Sequence, residues 1–155
     1  MKFIEDKLNE QGSVTYTMNV HNSETNAAYK YRAERILDVN ADAAACTLAF
    51  TQDGTGDRVW NVRSKFSFRE VEKLTVSSSA ELETKRSVEF GYGQMTTEYV
   101  PPVFSLTVQM LKGKQVEGFP FFLDFRFREE DLAQRAAKAM VHAVELCGGG
   151  SKDPF

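Results

Sequence analysis

Histidine and cysteine are the residues best suited to supply a general base, a nucleophile or a metal ligand, and this chain holds only two of each. His21 and His142 are far apart in the sequence, and neither belongs to a metal-binding motif. Cys46 and Cys147 lack the Cys-x-x-Cys spacing of zinc sites and thioredoxin-type motifs. We therefore expect no metal site and no cofactor, two solvated histidines and two buried free thiols. The alternative for the cysteines is a disulfide, which would favour an exported protein.

Two glycine-containing segments could in principle bind a ligand. "DGTGD" offers Asp53 and Asp57 to a calcium ion, but it lacks the other oxygen ligands and the terminal Glu of an EF-hand loop. Asp-Gly is a hairpin signal, so we predict a turn there. "GYGQ" at 91–94 lies outside any strand–Gly–helix unit, so it is not a dinucleotide fingerprint.

Catalytic motifs such as His-Glu-x-x-His, Gly-x-Ser-x-Gly and the P-loop do not occur in the chain. We therefore predict that the protein is not an enzyme. An enzyme that uses carboxylates alone is the hypothesis we rank last, because it needs two acids in one cleft, one of them with a raised pKa.

The net charge is −3, which argues against binding to nucleic acid or to anionic lipid, since both need a concentrated basic surface. No apolar run approaches the roughly 20 residues that cross a bilayer. The N-terminal "MKFIEDKLNEQG" has no signal-peptide core. We expect a soluble protein, and the sequence does not assign it to a cellular compartment. An exported protein from which the leader had been removed is also consistent with the sequence.

Period-two alternation dominates the chain and predicts an antiparallel sheet. The predicted strands cover 13–20, 28–39, 45–52, 58–62, 65–78, 103–111 and 121–128. In the second of these, one face consists of Tyr29, Tyr31, Ala33, Leu37 and Val39. Val71 is out of step within 65–78, which indicates a bulge or a bend there.

A helix is predicted at each end of the chain. Residues 2–10 form a short amphipathic segment. Residues 129–147 begin with three acids, as the helix dipole favours, and place small apolar residues along one face. That face consists of Leu132, Ala136, Ala139, Met140, Ala143 and Cys147. Six or seven strands curl to hide their faces and edges, and the final helix is expected to plug the open end.

The segment from 79 to 102 breaks the alternation, and we predict a long connection with one short strand near "TTEYV". Tyr99, Pro101 and Pro102, together with Tyr92, form a candidate contact surface. Proline blocks pairing at a strand edge. Two interpretations stay open: protection of a sheet edge, or a rim that binds a peptide.

The final strand "FFLDFRFR" runs directly into "EEDLAQRAAKAMVHAVELC", and this ending after a series of strands resembles the pleckstrin-homology-like (PH-like) superfamily. The resemblance implies an α+β, mainly β fold: a curled antiparallel sheet or partly open barrel capped by the C-terminal helix. The short helix at 2–10 is an addition to that pattern. Phosphoinositide-binding members carry Lys and Arg in the first hairpin loop, but "HNSETN" has neither, and only Lys30 and Arg32 lie nearby. We therefore expect no phosphoinositide binding.

These patterns predict one domain over 1–155, with a core at about 13–147 and a flexible tail at 148–155. The function they favour is a non-catalytic binding or scaffolding module with a protein or peptide partner. A carrier of small molecules or lipids is the alternative, because the many aromatic residues could instead line an internal cavity. A filled interior would favour the first hypothesis and a connected apolar cavity the second.

Overall fold

The computed structural model describes residues 1–11, 13–22, 28–56, 58–91, 95–118 and 123–150. The elements, in chain order, are α1 (Lys2–Glu10), β1 (Val14–Asn22), β2 (Ala28–Asp42), β3 (Thr47–Thr55), β4 (Trp60–Ser67), a 3-10 turn (Phe68–Glu70), β5 (Val71–Ser78), α2 (Ser79–Glu89), β6 (Met95–Val100), β7 (Phe104–Met110), β8 (Leu123–Phe127) and α3 (Glu130–Leu146).

The strands form two antiparallel sheets. The first has the order β4-β3-β2-β1-β6, so four consecutive strands make a meander and β6 returns to pair with β1. The second has the order β5-β7-β8. The predicted α+β class with mainly antiparallel sheet is confirmed.

The main core lies between the two sheets and helices α1 and α3. The rings of Phe50 on β3 and Phe125 on β8 lie 5.0 Å apart, which joins the sheets directly. α3 packs on β5, β7 and β8 and against α1. Ile4 and Leu8 are the buried residues of α1, which confirms the predicted amphipathic helix at the N-terminus.

Helix α3 buries a stripe close to the predicted one. The buried residues in and just after it are Ala133, Ala136, Ala137, Met140, Ala143, Val144 and Cys147. Leu132 and Ala139, which were predicted to face the core, are only half-buried. The buried face is therefore rotated slightly from the prediction, because α3 is covered by α1 on one side as well as by the sheet.

The prediction of two free thiols is wrong. Cys46 and Cys147 form a disulfide with a Cα–Cα distance of 5.8 Å across 101 residues of sequence. It joins the residue before β3 to the C-terminal end of α3. Two cysteines so distant in sequence show no pairing signal, and only the fold brings them together.

The predicted face of β2, with Tyr31 and Val39 on the same side, is also wrong. Tyr31 is 62% exposed, whereas Glu34 and Ile36 are buried. Pairing with β1 sets this phase, since the buried Val14 lies opposite Glu34. The register then shifts between Leu37 and Asn40, and this irregularity returns Val39 to the interior. Pairing with a neighbouring strand thus outweighs the hydrophobicity of β2 itself.

Residues 65–78 do not form one continuous strand, but the predicted break at Val71 is present: the chain bends there, and the pairing of β5 with β7 shifts register between Val71 and Lys73. Residues 65–78 contain the end of β4, the 3-10 turn and β5, so Val71 begins a strand of the second sheet. The Ser67 hydroxyl accepts a hydrogen bond from the Arg69 amide at the start of the turn. Phe68, fully buried, anchors this crossing between the sheets.

Several predicted features fall partly or wholly outside the described residues. These are the hairpin loop at 23–27, Asp57, Tyr92, Phe121 and the tail from 151 onward. Gly149 and Gly150, assigned above to the flexible tail, instead donate backbone hydrogen bonds to Val144 and Val71.

Candidate functional site

The described residues of the candidate contact surface, Tyr99, Pro101 and Pro102, lie on or just after β6, at one edge of the five-stranded sheet. The structure places Pro101 and Pro102 on the surface and buries Tyr99, which is 5% exposed. Tyr99 faces the interior, so it is not available to a partner. Val100, 49% exposed, was not predicted as a site residue and takes its place beside the two prolines.

The outer face of β6 continues into an exposed row across the sheet. Thr17 of β1 lies opposite both Val100 of β6 and Tyr31 of β2. Directly paired residues place their side chains on the same face, about 5 Å apart. Val100, Thr17 and Tyr31 therefore form a row with exposed apolar side chains at both ends. The alternation of β2 did not indicate this row, because it placed Tyr31 on the same face as Val39, which is buried.

The three other edge strands of the two sheets are each contacted by another segment. Glu117 donates a backbone hydrogen bond to Lys65 of β4. The Gln11 side chain donates to the carbonyl of Arg126 on β8, and Gly150 donates to Val71 of β5. Among the residues that the structure describes, no hydrogen bond to the β6 backbone comes from outside β1. With respect to those described residues, its outer edge therefore retains unpaired backbone groups.

Pro101 and Pro102 end this edge. Neither has a backbone N–H, so pairing along the edge cannot extend past Val100. The free edge is thus a segment of six residues, Met95–Val100, which matches an ordinary strand in length.

A buried polar cluster supports β6 from the inside. Arg126 of β8 lies 3.1 Å from a carboxylate oxygen of Glu34 on β2, and the Tyr16 hydroxyl donates to the other oxygen at 3.1 Å. The rings of Tyr16 and Tyr99 lie 5.1 Å apart. Burial by itself would lower the pKa of Arg126, but the Glu34 carboxylate raises it, so the guanidinium stays charged.

Helix α2 covers this cluster and is held largely by polar contacts. Arg86 donates to both oxygens of Asp124 at 2.6 and 3.0 Å, and Thr107 donates to the same carboxylate. The Ser79 and Ser105 hydroxyls lie 2.6 Å apart. Burial alone would raise the pKa of Asp124, but the hydrogen bonds and the charge of Arg86 lower it overall.

The prediction of a connection over 79–89 is corrected by α2. Its sequence lacks a strong apolar stripe, and Ser79 is its only buried residue. A helix held by ion pairs leaves little trace in hydrophobic periodicity. A local signal was present nonetheless, because Ser78 at the N-cap followed by Glu81 fits the Ser-x-x-Glu pattern that marks helix starts.

The remaining predicted residues do not converge on this surface. His21 and His142 are exposed, as expected. Asp53 pairs with Arg35 at 2.7 Å. In the described part of the chain, no group of three or more His, Cys, Asp or Glu could hold a metal ion, and no helix is long and apolar enough to cross a bilayer.

The two buried tyrosines should make the protein sensitive to alkali. Burial raises the pKa of Tyr99 to about 12 and that of Tyr16 further, whereas an unfolded tyrosine titrates near 10. Between pH 10 and 12 the folded state keeps protons that the unfolded state loses. We therefore expect the contribution of these two tyrosines to the free energy of unfolding to be constant up to about pH 10 and to fall above it, by up to about 1.4 kcal/mol per pH unit for each tyrosine.

Denaturant unfolding at a series of pH values measures this slope. The Tyr16→Phe/Tyr99→Phe variant serves as the matched control, because it keeps the rings and removes both hydroxyls. Its slope above pH 10 should be smaller than that of the wild type. Equal slopes would show that these two tyrosines are not the groups responsible.

Comparison with protein-family models, with curated proteins and with solved structures gave no match. The function must therefore be argued from the geometry of the chain itself.

Proposed function

We propose that this protein is a non-catalytic binding module of PH-like type that takes up an extended peptide as an additional strand along β6. The observation that carries the proposal is the free edge of β6, bordered by the exposed row of Val100, Thr17 and Tyr31. Strand addition uses backbone hydrogen bonds for affinity and alternate side chains for specificity. β6 offers both, and Pro101 limits the length of pairing.

The buried acids support a binding role over catalysis. Glu34 is paired with Arg126 and Tyr16, and Asp124 is paired with Arg86 and Thr107. An acid–base enzyme built from carboxylates needs one with a raised pKa, whereas the pKa of Asp124 is lowered. These charges fix the inner side of β6 and the helix above it.

The packing of the main core also supports a surface site over an internal cavity. Phe50 contacts Phe125, and the rings of Phe66 and Phe68 lie 5.4 Å apart. These four rings in the core, which could have lined a cavity, are thus packed in pairs against each other. The direct passage of β8 into α3 supports the PH-like arrangement, to which α2 and the pairing of β6 with β1 would be additions.

Selection from a random linear peptide library on the immobilised protein, followed by hydrogen exchange of the complex, tests the proposal. Bound peptide should protect amides within 95–100, because strand addition pairs them. Val100→Ser should weaken binding by roughly threefold or more, since it removes buried apolar area. Val59→Ser is the matched control, because Val59 is 76% exposed and precedes β4, at the opposite edge of the sheet.

Two results would contradict strand addition. One is the enrichment of peptides that leave the exchange of 95–100 unchanged. The other is an equal loss of affinity in the Val100→Ser and Val59→Ser variants. Failure of the library to yield any binding peptide would also count against a peptide-binding module.

A further inference from the structure

The free edge carries one charged residue, and it lies in the middle. Glu98 is exposed on the outer face of β6, between Thr96 and Val100. It lies opposite Asn19 of β1. Within the described ranges, Glu98 makes no ion pair. A strand added to β6 would therefore meet, at its centre, a carboxylate that has no ion-pair partner in the described part of the chain.

Side chains on an added strand would be fixed by the pleat. The residue opposite Glu98 would lie about 5 Å from it on the same face, and residues two positions away would lie beside Thr96 and Val100. An opposite charge beside Glu98 is favourable and a like charge is not. A large apolar residue beside Val100 would extend the row through Thr17 to Tyr31.

A second copy of this chain suits the edge poorly. Two β6 strands related by a two-fold axis near the middle of the strand, with outer faces aligned, would place their Glu98 carboxylates directly opposite each other or diagonally across the pairing. Like charges at such positions are unfavourable. The charge on β6 thus disfavours edge-to-edge dimers and favours a cationic partner.

We infer that the partner of β6 is an extended peptide with Lys or Arg opposite Glu98 and a large apolar residue two positions away, opposite Val100. The inference rests on the proposed strand addition and adds the chemistry of the partner. Recognition combines one ion pair with one apolar contact on the same face, and the intervening residue of the peptide points to the side of α2.

Parallel selections from one random linear peptide library on the wild type and on Glu98→Lys test the inference. The wild-type pool should be enriched in Lys or Arg two positions from a large apolar residue. The Glu98→Lys pool should carry Asp or Glu at the basic position and keep the apolar one. Pools with the same charge preference would overturn the inference, while protection of 95–100 in both would leave strand addition standing.

The affinities of the selected peptides for the wild type and for Glu98→Lys measure the size of the charge effect. Exchanging the basic residue of a selected peptide for Glu should weaken its binding to the wild type by at least roughly 1.5- to 5-fold, because it removes a cross-strand pair of about 0.2–1 kcal/mol and also places two like charges opposite each other. The exchange should strengthen binding to Glu98→Lys. Glu117→Lys is the control, because Glu117 is exposed beside β4. If Glu117→Lys changed the peptide affinities as much as Glu98→Lys does, the effect would be long-range electrostatic attraction, and the specific pairing with Glu98 would be overturned.

Sedimentation velocity of the free protein tests whether a second copy of the chain binds to β6. A monomer at micromolar concentration is expected. A dimer that the peptide dissociates, and that Val100→Ser weakens, would identify a second copy as the partner and overturn the inference.

Discussion

Replacing both cysteines with alanine should lower the free energy of unfolding by about 4 kcal/mol. The disulfide links residues that are 101 apart in the sequence. When a loop of this size is opened, the unfolded chain gains entropy, and this gain stabilises the unfolded state by about 4 kcal/mol. The bond also ties the end of α3 to the start of β3. Residue 46 has a φ of 57°. Alanine has a Cβ, as cysteine does, so the strain of this backbone conformation is the same in the wild type and in the variant.

Denaturant unfolding of four proteins checks this expectation: the wild type, the two single variants and the double variant. Each single variant should lose nearly as much as the double, because either change breaks the same bond. Small single effects that simply add would contradict a bond between these residues. Wild type unfolded under a strong dithiol reductant should resemble the double variant.

Arg126→Met should lower the free energy of unfolding by about 3–5 kcal/mol. The substitution leaves the Glu34 carboxylate buried without its cation. An unpaired buried charge destabilises a folded protein strongly, even where the intact pair contributes little to stability. Glu34 is 6% exposed, so solvent cannot replace the guanidinium. Methionine keeps much of the side-chain length, and the loss therefore reports mainly the charge.

The double variant Glu34→Leu/Arg126→Met should recover most of that loss, since it removes both charges together. Arg128→Met is the matched control: Arg128 is exposed and lies just after β8, and its loss should stay within about 0.5 kcal/mol. Equal effects of Arg126→Met and Arg128→Met would show that the buried pair contributes little. A double variant as unstable as the sum of the singles would show the same.

The residues of the candidate site could be predicted from the sequence only in part. Pro101 and Pro102 could be assigned to an edge from sequence, because proline cannot donate a ladder hydrogen bond. Tyr99 was assigned to the contact surface but lies inside, beside Tyr16. Tyr31 and Val39 were assigned to one face of β2, and the register shift that separates them depends on pairing with β3. Glu34 lies in the interior because Arg126 neutralises its charge there.

The sequence by itself determined the local elements: α1, most strands, the direct passage from β8 into α3 and the mainly antiparallel class. Period-two and period-3.6 patterns encode these, because each reflects burial of one face of a single element. Only the tertiary structure decided the Cys46–Cys147 bond, the phase of β2, the docking of α2 and the return of β6 to β1. Each depends on contacts between residues remote in sequence, and strand pairing and ion pairing there outweigh the preference of the segment alone.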